Sequence, residues 1–153
     1  GDFALEPADR GFLAVPPTVP GLGDWTRAGH PFYDGKMRYR FQAELPLACD
    51  ALVVQIPDWA GSVADVLWRG DSAGAVLHPP YELEIPGPHE AGSYELAVDI
   101  VGNMRNFMGP HFCDGLPGIW SWVDCPDHMP PGERYRTQPT GLFAPPLVTM
   151  LVS

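Results

Sequence analysis

A stretch in the second half of the 153-residue chain collects side chains that can bind a sugar. Asparagine offers a donor and an acceptor, and arginine offers a planar fork, so both suit sugar hydroxyls. Tryptophan rings can pack against the apolar face of a pyranose. The candidate carbohydrate-binding residues are Asn103, Arg105, Asn106, His111, Trp120 and Trp122. The two tryptophans point to the same side if residues 118–123 are extended.

Structural roles are open to the same residues. Asn103 or Asn106 can cap the backbone of its own loop, as asparagine often does. Trp120 and Trp122 can cover the end of a core instead of forming a binding platform. The residue types therefore favour binding at this stretch and leave a purely structural stretch as the alternative.

The same stretch holds residues that can ligate a metal. Two His and two Cys suit zinc, although their spacing matches no standard finger. This possible zinc set is His111, Cys113, Cys125 and His128. With Cys49 the cysteine count is odd, so no disulfide framework follows, and Cys113 and Cys125 are either free thiols or one bridge. No dense Asp-x-Asp loop indicates calcium, so we expect no required cofactor and leave a structural calcium open.

The sequence offers little support for catalysis by the chain itself. A glycosidase needs two carboxylates about 5–9.5 Å apart. Asp114 and Asp124 bracket the loop, but their spacing along the chain is not diagnostic. A nucleophile elbow, a glycine-rich phosphate loop and a His-Glu-x-x-His motif are all absent from the sequence. We therefore expect the chain not to be an enzyme on its own.

Composition restricts both the fold and the partners. Glycine and proline number 17 and 19, and an interior proline breaks a helix, so a helical bundle is excluded. The apolar content of 45% can fill a core, and the length suits one domain. The net charge of −10 argues against nucleic acid as a partner. No apolar run approaches the ~18 residues of a membrane span.

Seven or eight short strands are predicted after an extended lead-in at residues 1–31, which holds at most one short strand. Apolar and polar residues alternate at 37–45 and 93–101, which is typical of strands with one buried face. The other predicted elements are strands at 52–56, 62–69, 73–77 and 81–85, a loop at 86–92, a long loop segment at 102–132 and a closing core strand at 142–152. We therefore predict an all-β fold, a single antiparallel β-sandwich over residues 32–153.

Four pieces of sequence, in order, resemble the sugar-binding jelly-roll domain of family 2 and related large glycoside hydrolases. They are FYDGKMRYRF from Phe32, VADVLWRG from Val63, AGSYELAVDIV from Ala91 and GLFAPPL from Gly141. The resemblance implies a galactose-binding-like sandwich. One departure is Arg69, which stands where the family's hairpin usually has an asparagine. The family's catalytic carboxylates lie on a separate barrel domain.

The leading hypothesis is a non-catalytic carbohydrate-binding module of a larger secreted glycosidase. The resemblance implies a polysaccharide or oligosaccharide ligand, a neighbouring catalytic domain in the parent chain, and an extracellular or periplasmic location. The alternative is a structural accessory sandwich that braces a catalytic domain and binds no sugar alone. A small glycan hydrolase is the third hypothesis.

Overall fold

The computed structural model of the chain describes residues 2–109, 111 and 130–152. Short strands dominate these residues, as the spacing of the prolines predicts. The strands are β1 (Ala4–Pro7), β2 (Phe12–Val15), β3 (Lys36–Leu45), β4 (Cys49–Gln55), β5 (Trp59–Ala60), β6 (Val63–Trp68), β7 (Asp71–Val76), β8 (Glu82–His89), β9 (Gly92–Val101), β10 (Gly141–Leu142) and β11 (Leu147–Leu151). The helices are α1 (Met104–Met108) and a 3-10 helix (Gly132–Arg134).

Two antiparallel sheets enclose one apolar core, so the predicted β-sandwich is confirmed. One sheet has the strand order β3-β9-β6-β7, and the other has the order β11-β4-β8. Both contribute fully buried side chains to the core, among them Val98 and Ile100 of β9 and Leu52 and Val54 of β4. Two smaller antiparallel pairs, β1 with β2 and β5 with β10, complete the described strands.

The two predicted alternating strands are confirmed, and they form the longest pairing of the sandwich. In β3, Tyr39 and Ala43 are buried whereas Arg38 and Arg40 are exposed. β9 pairs with β3 along its whole length. This period of two places the apolar side chains of β3 in the core and its charges on the outer face. β9 is a central strand with Ala97 and Asp99 buried on its other face, so the expectation of a single buried face is wrong for β9.

The prediction of a loop at 86–92 is wrong for residues 86–89, which belong to a strand. β8 continues through Pro86 and Pro88. Proline cannot donate a ladder hydrogen bond, so within sheets it is confined to edge strands and bulges. β8 is an edge strand beside β4, and the register of that pair shifts between Cys49 and Ala51. The prolines are therefore compatible with a strand at this position in the sheet.

The single closing strand predicted at 142–152 is two strands. The prolines at 145–146 interrupt the stretch, so that β10 pairs with β5 and β11 pairs with β4. β11 is one of the two edge strands of the three-stranded sheet, and of its residues only Val148 and Met150 pack against the core. Two adjacent prolines supply no backbone N–H, which explains why one continuous ladder does not form.

The lead-in at residues 1–31 contains a β-hairpin, although its sequence predicts at most one short strand. β1 and β2 pair antiparallel, with Ala4 opposite Val15. The backbone N–H of Leu5 donates to the Gly29 carbonyl, and that of Gly11 donates to the Pro130 carbonyl. The hairpin is therefore attached both to the segment that follows it and to the segment near residue 130.

An ion-pair cluster lies on the outer face of the four-stranded sheet. Arg38 donates from Nε and Nη2 to the two carboxylate oxygens of Asp99, at 2.7 and 2.8 Å. Lys36 Nζ lies 3.5 Å from Asp99 and 3.4 Å from Asp65. The hydrogen bonds from Arg38 hold the pKa of the Asp99 carboxyl below its usual value, against burial, which raises it. Asp99 is therefore a buried carboxylate that stays ionised.

We expect Asp99→Asn to lower the free energy of unfolding by about 2 kcal/mol at neutral pH, because a charged bidentate pair is lost. A lowered folded pKa gives stability that is present above the unfolded pKa of about 4 and is lost as the pH falls through the folded value. The variant should therefore lose less stability than the wild type on acidification. Urea unfolding at neutral and acidic pH measures both effects.

Glu95→Gln is the matched control for this prediction. Glu95 pairs with Arg40 at 2.8 Å on the same face, but both side chains are more than a third exposed. Such pairs contribute less than about 1 kcal/mol. Equal losses of stability in the two variants would contradict the assignment of Asp99 as the dominant charge of this face.

The turn of the β6–β7 hairpin has two residues with positive φ. Arg69 has a φ of 56° and Gly70 a φ of 93°, the combination that a type I′ turn requires. Arginine is disfavoured there, and its guanidinium carbon lies 5.3 Å from the ring centroid of Tyr94, a cation–π contact that offsets part of the cost. The chain thus departs from the family pattern in residue type and still makes the glycine-dependent turn.

We expect Gly70→Ala to destabilise the fold by about 1 kcal/mol, because alanine is strained at this positive φ. Gly21→Ala is the control, since a Cβ at either glycine meets no heavy atom within 4 Å and only Gly70 has a positive φ. Thermal unfolding measures the difference. A loss at Gly21 as large as that at Gly70 would contradict the conformational explanation.

Candidate functional site

A cleft of about 730 Å³ opens between the β1–β2 hairpin, the segment 24–31 and the segment 132–139. Its walls combine aromatic, apolar and charged side chains. The lining residues that matter for the chemistry are Phe12, Asp24, Arg27, Glu133, Tyr135 and Arg136. Concave sites of this size, with an apolar wall and a few polar groups, are where small ligands bind.

Asp24 connects one wall of the cleft to the sandwich. Its Oδ1 accepts from the backbone N–H of Thr26 at 3.0 Å and from the Thr26 hydroxyl at 2.7 Å, which is an Asx turn. The same oxygen accepts from the backbone N–H of Thr140 at 3.1 Å. The N–H of Trp25 donates to the Thr140 carbonyl in return. The segment at 24–26 is thereby held against the segment 138–140 that precedes β10.

Asn106 connects helix α1 to that same segment. Its Nδ2 donates to the Gln138 carbonyl at 2.8 Å and to the Thr140 hydroxyl at 3.0 Å, and its Oδ1 accepts from the Gln138 N–H at 2.7 Å. The residue is completely buried. The Asn106 amide therefore satisfies backbone groups inside the protein and offers no surface to a ligand.

Asn103 has the capping role that the sequence left open. It is the N-cap of α1, and its Oδ1 accepts from the Asn106 N–H at 3.0 Å. Its Nδ2 donates to the Thr140 hydroxyl at 3.0 Å. Both ends of the Asn103 amide are thus used within the chain.

His111 belongs to an aromatic cluster beside the cleft. The His111 ring centroid lies 4.8 Å from that of Phe32 and 6.0 Å from that of Tyr135, and Phe12 lies 5.1 Å from both of the latter rings. Burial lowers the pKa of the His111 imidazole, against a hydrogen bond to the Arg136 carbonyl, which raises it. His111 is therefore neutral at neutral pH.

Charged side chains of both signs border the cleft. The Arg27 side chain is 89% exposed, and its Nε lies 3.8 Å from Asp24 Oδ2. Glu133 and Arg136 are exposed on the opposite wall. Guanidinium groups donate hydrogen bonds and carboxylates accept them. The cleft can therefore donate to the oxygen of a hydroxyl group and accept from its hydrogen.

The structure brings the predicted binding residues together only in part. Asn103, Arg105 and Asn106 lie on or beside α1, and His111 lies in the aromatic cluster. The remaining predicted residues lie outside the described part of the chain: Trp120 and Trp122, the zinc candidates Cys113, Cys125 and His128, and the carboxylates Asp114 and Asp124. Direct contact of the Asn106 side chain with a sugar is not compatible with its complete burial, and sugar binding by the other predicted residues stays a prediction.

Sequence reasoning missed the charged residues of the cleft. Asp24 had a usable signal, because Asp-Trp-Thr at 24–26 is a favourable Asx-turn sequence. Arg27, Glu133 and Arg136 carried no such signal, since they belong to two segments that are far apart along the chain and only meet across the cleft.

Two further findings concern the part of the chain that the structure describes. No group of three or more His, Cys, Asp or Glu side chains there is placed to hold a metal ion. Neither of its helices is long and apolar enough to cross a bilayer. A structural calcium remains a prediction.

A known structure shares this fold at low sequence identity. A rhamnosidase from Novosphingobium sp. PP1Y is similar over 95% of this chain, with a TM-score of 0.59 and 20% identity, and the match covers 14% of the rhamnosidase chain. A family 2 β-galacturonidase from Eisenbergiella tayi, bound to galacturonate, matches 63% of this chain and 17% of its own, with a TM-score of 0.41 and 18% identity. No family model and no curated protein matches the sequence.

We expect Asn106→Asp to destabilise the fold by about 3 kcal/mol, because a buried carboxylate would replace the amide that donates to Gln138 and Thr140. Asn103→Asp is the matched control. It keeps the oxygen that caps α1 and loses only the bond to Thr140, so we expect a loss of about 1 kcal/mol or less. Urea unfolding compares the two variants, and equal losses would contradict the assigned role of Asn106.

Proposed function

We propose that this chain is a non-catalytic carbohydrate-binding β-sandwich of a larger glycoside hydrolase. In this proposal the sugar binds in the cleft between the β1–β2 hairpin and the segment 132–139. The observation that carries the proposal is the combination of an aromatic wall with guanidinium and carboxylate groups in one cleft of about 730 Å³.

The aromatic wall provides the apolar contact. Phe12 and Tyr135 line the cleft and are held by edge-on contacts with Phe32, so their rings are ordered before a ligand arrives. Aromatic contacts of this kind are worth about 0.5–1.5 kcal/mol beyond the area they bury. The C–H face of a pyranose is a suitable partner for such rings.

The charged groups provide orientation. Arg27 and Asp24 lie on one wall, and Glu133 and Arg136 lie on the other. Sugar hydroxyls donate and accept, so a sugar ring placed between the walls finds both kinds of partner. The volume of the cleft suits a mono- or short oligosaccharide.

The fold comparison supports the proposed setting. The similar sandwich in the rhamnosidase makes up a small part of a much longer chain. We therefore propose a neighbouring catalytic domain as the partner, in a protein that acts outside the cytoplasm. A weak sugar site joined to a catalytic domain raises the effective substrate concentration without new chemistry.

A structural accessory domain is the second candidate. Met104, Phe107 and Met108 of α1 are each more than half exposed. Exposed apolar side chains that lie close together are typical of surfaces that pack against another domain. Under this candidate the isolated chain binds no sugar.

We expect the purified chain to bind a rhamnose-containing or other pectic oligosaccharide with millimolar or better affinity, and Arg27→Ala to weaken that binding about tenfold, because one charge-assisted hydrogen bond is lost. Calorimetric titration with pectic, xylan and galactan oligosaccharides measures both. Arg10→Ala is the matched control, since Arg10 is also exposed and does not line the cleft.

The outcomes separate the candidates. Binding that is weakened by Arg27→Ala and not by Arg10→Ala supports the cleft. Binding that neither variant changes would place the sugar elsewhere. No binding of any oligosaccharide at millimolar concentration would contradict the proposal and favour the accessory domain.

A further inference from the structure

β11 forms one edge of the three-stranded sheet, and its outer edge has no partner strand in residues 2–109, 111 and 130–152. It pairs antiparallel with β4 on one side only. No loop backbone in the described residues hydrogen-bonds to residues 147–151 either. An edge of this kind presents free N–H and C=O groups that can accept another strand.

The other three edges of the two large sheets carry residues that oppose such pairing. β3 carries Lys36, Arg38, Arg40 and Glu44, β7 carries Asp71, and β8 carries Glu82, Glu84, Pro86 and Pro88. Charges and prolines on edges are the usual protection against strand addition. β11, with the sequence LVTML, has neither.

The outer face of β11 is apolar as well as uncharged. Leu147 is 53% exposed and Leu151 is 41% exposed, with the exposed Thr149 between them. The alternate residues Leu147, Thr149 and Leu151 therefore face solvent, beside a backbone edge that has no partner strand in the described residues.

The residue types of β11 are symmetric about Thr149, with one apolar side chain at each of the two positions on either side of it. An antiparallel copy centred on this residue would place Thr149 opposite Thr149, Leu147 opposite Leu151, and Val148 opposite Met150. Thr–Thr and apolar cross-strand pairs are favourable in antiparallel sheets. A twofold contact must be complementary to itself, and LVTML meets that requirement without bringing like charges together.

We propose that β11 is a dimerisation edge at which a second copy of this chain adds antiparallel about Thr149. The two three-stranded sheets then join into one continuous six-stranded sheet with the order β8-β4-β11-β11-β4-β8. The net charge of −10 on each copy opposes long-range approach. The interface is short, so the dimer forms at high protein concentration and more readily at high salt.

Sedimentation velocity of the purified full chain over a range of concentrations tests the proposal. The expected result is a shift towards twice the monomer mass that Thr149→Lys abolishes, because lysines then meet at the twofold axis. Ser72→Lys is the matched control. It adds the same charge at an exposed position on β7, an edge strand of the other sheet, and should leave the dimer intact.

Disulfide trapping tests the register independently of the lysine variants. Two Thr149→Cys chains would have Cα atoms about 4.5–5.5 Å apart, which is within the range of a disulfide. Leu147→Cys in a chain that keeps Thr149 would place its two cysteines about 13 Å apart along the paired strands, so this variant should not cross-link.

Each outcome decides the proposal. A covalent dimer from Thr149→Cys and not from Leu147→Cys supports it. A chain that stays monomeric at every concentration overturns it and leaves the edge to a strand from a different polypeptide. A dimer that survives Thr149→Lys, or that cross-links equally through both cysteine variants, also overturns it.

Discussion

The described structure depends on how the backbone between Gln138 and Leu142 is held. This stretch lies outside the two large sheets, so their ladders cannot satisfy it. Side chains and the lead-in backbone do so instead. The Asn106 amide accepts from the Gln138 N–H and donates to the Gln138 carbonyl, and the Asp24 carboxylate accepts from the Thr140 N–H. The backbone N–H of Trp25 donates to the Thr140 carbonyl. A buried polar group without a partner costs about 1–3 kcal/mol, so each of these contacts is one that the fold cannot lose without consequence.

This backbone stretch couples three parts of the molecule that are otherwise separate. It joins helix α1, the lead-in and the sandwich, and the two walls of the cleft extend from it. Close approach is part of the arrangement, because a Cβ at Gly141 would lie 2.1 Å from the Gly23 carbonyl oxygen. The position of the cleft therefore follows from hydrogen bonding in the protein interior, while the Arg27 side chain at its border is 89% exposed.

Most of the sandwich was predictable because local pattern and tertiary position agree there. The alternation at 37–45 and 93–101 marks β3 and β9, and the strands predicted at 62–69 and 73–77 correspond to β6 and β7. The predictions fail at prolines, in opposite directions: a strand end is predicted at Pro86, where β8 continues, and no interruption is predicted at 145–146, where the strand is divided. Pro86 lies inside β8 because that strand is at an edge, and the pair at 145–146 separates β10 from β11. In both cases the deciding factor is the neighbour in the sheet, which a single sequence does not reveal.

The amino-acid pattern predicts the all-β class and the alternating strands, and the residues of β11 are uncharged whatever the fold. Capping by Asn103 is one of several roles that the sequence leaves open, and the structure assigns it. Tertiary structure alone decided that Asn106 is buried and that Asp24 and Thr140, 116 positions apart, share a hydrogen bond. It also decided that residues near 12, 24 and 135 form one cleft. Propensity and periodicity act over a few residues, whereas a cleft is made by hydrogen bonds and packing between segments that are distant along the chain.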